Sequence, residues 1–212
     1  MTKLTGQQIA AEQLTGWAYL TDSLHTRIAT PDFATGLALV NAIGAAAEEM
    51  DHHPDLDLRY TAVAIRLTSH DTGGVTSRDI RLARKIDELA TAAGLATSRD
   101  EAAYLEVALD TPNHTKIGAF WAAALGGTLN GDEVRDPRAV LPTVWFQESG
   151  SEEPRQRWHF DLWLDPDQVQ PRIDAAIAAG GTLVSDANAP SFWVLADAEG
   201  NRMCLCTWQT RD

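Results

Sequence analysis

Cysteine is scarce in this chain of 212 residues, and basic side chains are outnumbered. The two cysteines, Cys204 and Cys206, stand two apart in a strand-like run. That spacing suits neither a disulfide framework nor a paired zinc knuckle, and it reads as two buried, reduced thiols. Lysine and arginine number 17 against 30 aspartates and glutamates, a formal net charge of -13. Nucleic-acid binding rests on cations that neutralise phosphates, so this deficit argues against such a partner. Adsorption to an anionic membrane surface is disfavoured by the same sign. Long apolar runs are missing too. None reaches spanning length, and the opening MTKLTGQQIAAEQ has no secretory apolar core, so a soluble cytoplasmic protein is expected. What is present is ordinary globular material, 44% hydrophobic and 22% charged, enough for one large domain or two small ones.

In the first half, Thr15 to Tyr19 and His25 to Thr30 read as strands around a Thr21-Asp22-Ser23 turn. A short helix precedes them at Gly6 to Leu14. Thr30-Pro31-Asp32 has the form of a helix start, with Thr30 as N-cap and Pro31 first inside. Phe33, Leu37, Val40, Ala47 and Met50 follow as one apolar stripe. The helix should end near Asp51, because His53 precedes Pro54 and is pushed out of the α region. Leu56 to Tyr60 and Ala62 to Ser69 read as strands, the second burying Val63, Ile65 and Leu67 on one face. Thr76-Ser77-Arg78-Asp79 is a capping box, opening a helix that stops at Gly94. The result is an α+β unit: an antiparallel four-stranded sheet with helices on one face. Gly94 to Ala103 is polar and aperiodic. The expected domains are therefore residues 1–96 and 102–212.

The second half repeats itself. Leu105 to Asp110, a helical run and Gly126-Gly127-Thr128-Leu129 are echoed by Phe160 to Asp165, a helical run and Gly180-Gly181-Thr182-Leu183. Strand-like pieces follow in each copy, so one βαβββ unit is used twice. Six of the seven tryptophans lie here. Trp121 reads as helix core, while Trp145, Trp163 and Trp193 fall on strands where they can pack or face a cleft.

The chemistry concentrates in Glu48 to Asp79. His52 and His53 close a helical pattern, His70 closes a strand pattern, and Asp79 lies in the first turn of a helix. Imidazole is the side chain that gives or takes a proton most readily near neutrality. Three of them with a carboxylate, all at element ends, are the parts of a proton-transfer site. Asp79 can serve as capping partner of Thr76, as partner of a histidine, or as both.

The stretch AEEMDHHPDLDLRYTAVAIRLTSHDTGGVTSRDIRLARKI resembles the pterin-4a-carbinolamine dehydratases. The resemblance rests on Glu48, His52-His53-Pro54, Tyr60, His70, Gly74 and Thr76 leading to Asp79, and covers about Leu14 to Ala93. It implies dehydration of a 4a-hydroxytetrahydropterin to the quinonoid dihydropterin without metal or cofactor, the pterin being the substrate. It implies that His52 and His70 act as general acid and base, their order left open. His53 would hold the pterin and share in proton transfer, Asp79 would accept a hydrogen bond from a histidine and favour its charged form, and Pro54, Ser69, Asp71 and Thr72 would border the substrate. A homo-oligomer is implied as well. The chain departs from the family at Ile28-Ala29-Thr30 and Leu56-Asp57, where aromatic residues are frequent.

The duplicated half resembles the glyoxalase-like domains of the vicinal oxygen chelate superfamily, through its opening strands, His159 in WHFDLWLD, and DAEGNRMCL. Metal-using members bind a divalent ion through His, Gln or Glu of both repeats. Here Tyr104 is the repeat mate of His159, and Cys204 stands where glutamate is usual. One histidine and one cysteine do not make a hard-cation site, so no metal is expected. The rival function is a small-molecule-binding or metal-dependent glyoxalase or dioxygenase activity carried by this half.

Overall fold

The computed structural model describes residues 2–150, 156–198 and 200–211. Two compact units emerge: Met1–Ala103 with Leu164–Gln168 and Trp208–Asp212, and Tyr104–Trp163 with Val169–Thr207. Among the described residues no helix is long and apolar enough to cross a membrane.

The first unit runs α1 (Gly6–Ala11), β1 (Ala18–Leu20), β2 (Ser23–Ala29), α2 (Phe33–Met50), β3 (Asp55–Arg59), β4 (Ala62–Leu67), α3 (Ser77–Ala92) and β5 (Thr97–Ser98). Its sheet is antiparallel, in the order β1-β2-β4-β3. The register sets Leu24 against Leu67, Thr26 against Ile65 and Ile28 against Val63. Strand alternation puts these residues on one face, where all but Thr26 join Leu39 and Ile43 of α2 and Ile80, Ala83 and Ile86 of α3 in a single core. Each large aliphatic side chain fully buried there contributes about 1.5–3 kcal/mol. The opposite face carries His25, Arg27, Asp55, Asp57 and Arg66.

Two details differ from expectation. The N-cap of α2 is Asp32, not Thr30: the Asp32 carboxylate accepts a 2.7 Å hydrogen bond from the Thr35 amide. Asp and Thr are both good caps, but Thr30 continues the strand pairing, its amide donating to the Thr61 carbonyl at 2.8 Å. Secondly, the sheet gains a fifth strand. Residues Ser98 and Thr97 of β5 pair with Arg27 and Ile28, on the β2 edge that β1 leaves open beyond His25. A strand of two residues has no periodicity to read.

The second unit holds β6 (Ala103–Thr111), α4 (His114–Leu125), β7 (Thr128–Asn130), β8 (Glu133–Arg135), β9 (Thr143–Glu148), β10 (Trp158–Leu164), α5 (Pro166–Ala178), β11 (Thr182–Ser185), β12 (Phe192–Ala196) and β13 (Arg202–Cys206). The sheet order is β11-β12-β13-β10-β6-β9-β8-β7. Counted outward from the β10–β6 centre, both halves read first, fourth, third, second strand of a βαβββ repeat. In each, the first and fourth strands are parallel, β6 with β9 and β10 with β13. The doubled Gly-Gly has a physical cause. Gly126 and Gly180 take φ of +63° and +96° to leave their helices. A Cβ on Gly127 would stand 2.7 Å from Val134 Cγ1. One on Gly181 would stand 3.0 Å from the Ala176 carbonyl.

Candidate active site

The loop between α2 and β3 starts with Asp51, left-handed at φ +48°. It leads through His52, His53 and Pro54 into β3, which pairs Asp55 with Arg66. Continuing that antiparallel register three positions sets His52 level with Ser69, and the next residue is His70. The sheet therefore gathers all three histidines at one of its ends.

His52 is buried, 7% exposed, and Asp79 is completely so. The His52 Nε2 stands 2.7 Å from Asp79 Oδ1. The other carboxylate oxygen, Oδ2, accepts from the Thr76 amide and from the Ser69 hydroxyl, each at 2.7 Å. Thr76 Oγ1 lies 3.2 Å from the same oxygen and 2.8 Å from Ser69 Oγ. The carboxylate thus does two jobs with two oxygens. One completes the capping box of α3, and the other holds an imidazole. Because a carboxylate only accepts, Nε2 must carry the hydrogen, and the tautomer of neutral His52 leaves Nδ1 as the proton acceptor.

The other two histidines do not join this network. His53 Nε2 meets Glu48 Oε1 at 3.1 Å, with both side chains largely exposed. His70 is exposed, and among the described residues no hydrogen bond or ion pair reaches its ring. Its position is nevertheless fixed by its loop. Ser69 and Gly74 bridge at 3.0 Å, and Thr72 Oγ1 donates to the Ser69 carbonyl at 3.1 Å. Asp71 pairs with Arg78 of α3, and this guanidinium holds the Asp71 carboxyl below the usual carboxylate range. Pro54 is half-buried beside His53. Ser69 is buried, 1% exposed, and acts from beneath Asp79 rather than from the surface. Sequence reasoning found Ser69 but not this supporting role, which depends on a contact ten residues apart. A fourth imidazole, His25, is unsuited to proton transfer near neutrality. Burial, and then the Arg66 charge, push its pKa down to about 4, against a ring hydrogen bond to the Leu20 backbone.

In the second unit, the indoles of Trp145 and Trp163 are spoken for. Trp145 Nε1 donates to Asp161 Oδ2 at 3.1 Å, and Trp163 Nε1 to Glu106 Oε2 at 2.9 Å. Glu106 is pushed above the usual carboxylate range, first by burial and further by the Asp161 and Glu133 charges, while the Trp163 bond opposes the shift. Trp121 packs into the core with Leu109, Val144 and Phe146, as its helix pattern suggested. Among the described residues, the His, Cys, Asp or Glu side chains close enough together to share a metal are His159, Asp161 and Cys204.

The pterin 4 alpha carbinolamine dehydratase family model matches residues 2–89, and a glyoxalase-like domain model matches residues 106–206. A protein of Aquifex aeolicus, provisionally named pterin-4-alpha-carbinolamine dehydratase, is 40% identical over 89 residues, which are 41% of this chain and 90% of that protein. The chain belongs to the pterin-4-alpha-carbinolamine dehydratase family. A second dehydratase of the same provisional name, from Thermomicrobium roseum, is 41% identical over 93 residues, 43% of this chain and all of that one. A crystal structure titled transcriptional coactivator/pterin dehydratase, from Brucella melitensis, is 29% identical with a TM-score of 0.41, covering 42% of this chain and 99% of that chain. His52, Asp79 and the loop of His70 all fall inside the dehydratase-family segment. The glyoxalase-like segment begins within β6 and ends with β13.

Proposed function

We propose that this chain is a hydro-lyase that converts 4a-hydroxytetrahydropterin to quinonoid dihydropterin and water. The observation that carries the reading is the buried His52–Asp79 pair at 2.7 Å within the family segment. The C4a–O bond breaks, and its oxygen leaves as water after taking a proton from an acid. N5 releases its proton to a base as the N5–C4a double bond forms. Two imidazoles can therefore run the cycle with no net gain or loss of protons. His52, its tautomer set by Asp79, and solvent-facing His70 share the two roles. Positioned groups of this kind contribute about 10² to 10⁴ in rate. His53 holds the pterin, with Pro54, Asp71 and Thr72 around it, while Ser69 keeps Asp79 in place. The pterin is substrate, and the setting is pterin recycling by a cytoplasmic homo-oligomer.

The test generates the carbinolamine in situ with a phenylalanine hydroxylase and follows quinonoid dihydropterin. Formation should accelerate in proportion to added protein. A rate no faster than the spontaneous dehydration overturns the proposal.

A further inference from the structure

We propose that Lys3 is a positioning residue that straps down the loop carrying His70, and that Gly74 lacks a side chain so that the strap can pass. The inference rests on the dehydratase reading for the role of His70. That ring is exposed, and among the described residues no hydrogen bond or ion pair reaches it. Its place is therefore set by the backbone that carries it.

The segment Lys3-Leu4 is tied at both ends. The Leu4 amide donates to the Val75 carbonyl at 2.8 Å, and the Leu4 side chain packs against the core of the first unit. The Lys3 ammonium meets Asp22 Oδ1 at 2.7 Å, in the turn between β1 and β2. The same oxygen accepts from the Tyr19 hydroxyl at 3.2 Å. Between these ties the methylene stem of Lys3 lies against Gly74. A Cβ on Gly74 would stand 2.5 Å from Lys3 Cε, 2.7 Å from Cδ and 2.9 Å from Cγ. Gly74, unlike Gly73, does not take a positive φ, so its backbone conformation does not demand a glycine. What a side chain at position 74 would displace is the lysine. A lysine suits the place, because its stem can lie on protein while its charge stays in solvent.

The contacts close a ring around the foot of the loop. The Asp22 carbonyl accepts from the Thr68 hydroxyl at 3.1 Å, and Thr68 precedes Ser69. The Ser69 amide donates to the Gly74 carbonyl at 3.0 Å. Lys3 links Gly74 back to Asp22. Ser69 is held from beneath by Asp79, and Asp71 is held by Arg78. Lys3 supplies the third side. The Lys3 and Asp22 side chains are about half exposed, and exposed ion pairs add little to global stability. The consequence falls instead on the imidazole, since misplacing a reacting group by about 1 Å can cost about 10² in rate.

The test uses the full-length protein, with urea melts, dehydration kinetics and amide hydrogen exchange across Thr68 to Val75. Lys3→Ala should melt with the parent, exchange the Ser69 and Gly74 amides faster, and lower kcat about tenfold or more. Lys3→Arg keeps a stem and a charge and should behave as the parent in all three. Gly74→Ala should speed loop exchange in the parent and add nothing in a Lys3→Ala background. In a His70→Ala background, Lys3→Ala should cost no further kcat, because no ring is left to place. Loop exchange that Lys3→Ala leaves unchanged overturns the proposal whatever the kinetics. A kcat loss that persists without His70 overturns it too, and so does a melting midpoint that falls together with kcat. Failure of the dehydratase reading looks different. The parent would then not accelerate dehydration while Lys3→Ala still loosened the loop, so the strap would be upheld and its catalytic role would fall with that reading.

Discussion

Asp79 Oδ1 lies 2.7 Å from His52 Nε2, so the residue that caps α3 is also the one that fixes the buried imidazole. An asparagine at position 79 has one acceptor oxygen where the carboxylate has two. Either the His52 ring, the Thr76 amide and the Ser69 hydroxyl compete for that oxygen, or the amide NH2 faces Nε2 as a donor and forces His52 into the other tautomer. Asp79→Asn should lower kcat by about 10² or more and destabilise the fold by about 1–3 kcal/mol. Steady-state dehydration assays and urea melts on the same preparation measure the two separately. Full activity in Asp79→Asn would show that the carboxylate is only a cap.

The exposed pair at the neighbouring position should behave differently. His53 and Glu48 meet in solvent, and such pairs contribute about 0–1 kcal/mol. Glu48→Gln should leave both stability and kcat close to the parent, whereas His70→Ala should lower kcat by about 10² or more. As His70 is exposed, that variant should melt where the parent does. A melting point that falls together with activity in His70→Ala would instead indicate a packing role for this ring.

How much of this was legible beforehand follows from the range of the interactions involved. The exit of α2 at Asp51, the capping box at Thr76 and the glycine pairs of the repeat are written in four or five consecutive residues, and the structure has all of them. Asp79 as both cap and histidine partner was an open alternative, because nothing local says which oxygen faces which neighbour. Which histidine it meets depends on β3–β4 register and on α3 packing over the sheet. The nearness of Asp161 and Cys204 was out of reach for a similar reason. They are 43 residues apart, and only the parallel pairing of β10 with β13 brings them side by side. β5 escaped because two residues have no pattern.

His25 gives the first unit a pH-dependent weakness. The Nε2 atom is shut off from solvent, and the folded-state pKa is about 4 against roughly 6.5 when unfolded. Between those values the unfolded chain binds the proton and the folded chain does not. Stability should therefore fall as pH drops from about 6.5 to 4, by at most about 3 kcal/mol from this group. The remainder of the ring is half-buried, which keeps the effect below that bound. Urea melts of the parent and of His25→Gln at pH 7 and pH 4.5 measure it. The variant should lose less stability on acidification, and parallel pH profiles would exclude His25 as the source.

The sharpest packing constraint in the first unit is at Gly16. A Cβ there would lie 2.0 Å from Thr97 Oγ1 and 2.6 Å from Thr97 Cβ. Thr97 cannot simply rotate away. Its hydroxyl donates to Asp87 Oδ1 at 2.9 Å, the same oxygen that receives the Trp17 indole at 3.0 Å. Its backbone is held too, because β5 pairs with β2 and the Thr26 hydroxyl donates to the Gly16 carbonyl. Gly16→Ala should force β5 off the sheet edge and cost about 1–3 kcal/mol. The His52–Asp79 pair makes no contact with either residue, so kcat per folded molecule should not change. Thr97→Gly removes both clashing atoms. In that background most of the Gly16→Ala penalty should vanish, a strong departure from additivity. If the two substitutions instead add in urea melts, the close approach of Gly16 to Thr97 is not what restricts position 16.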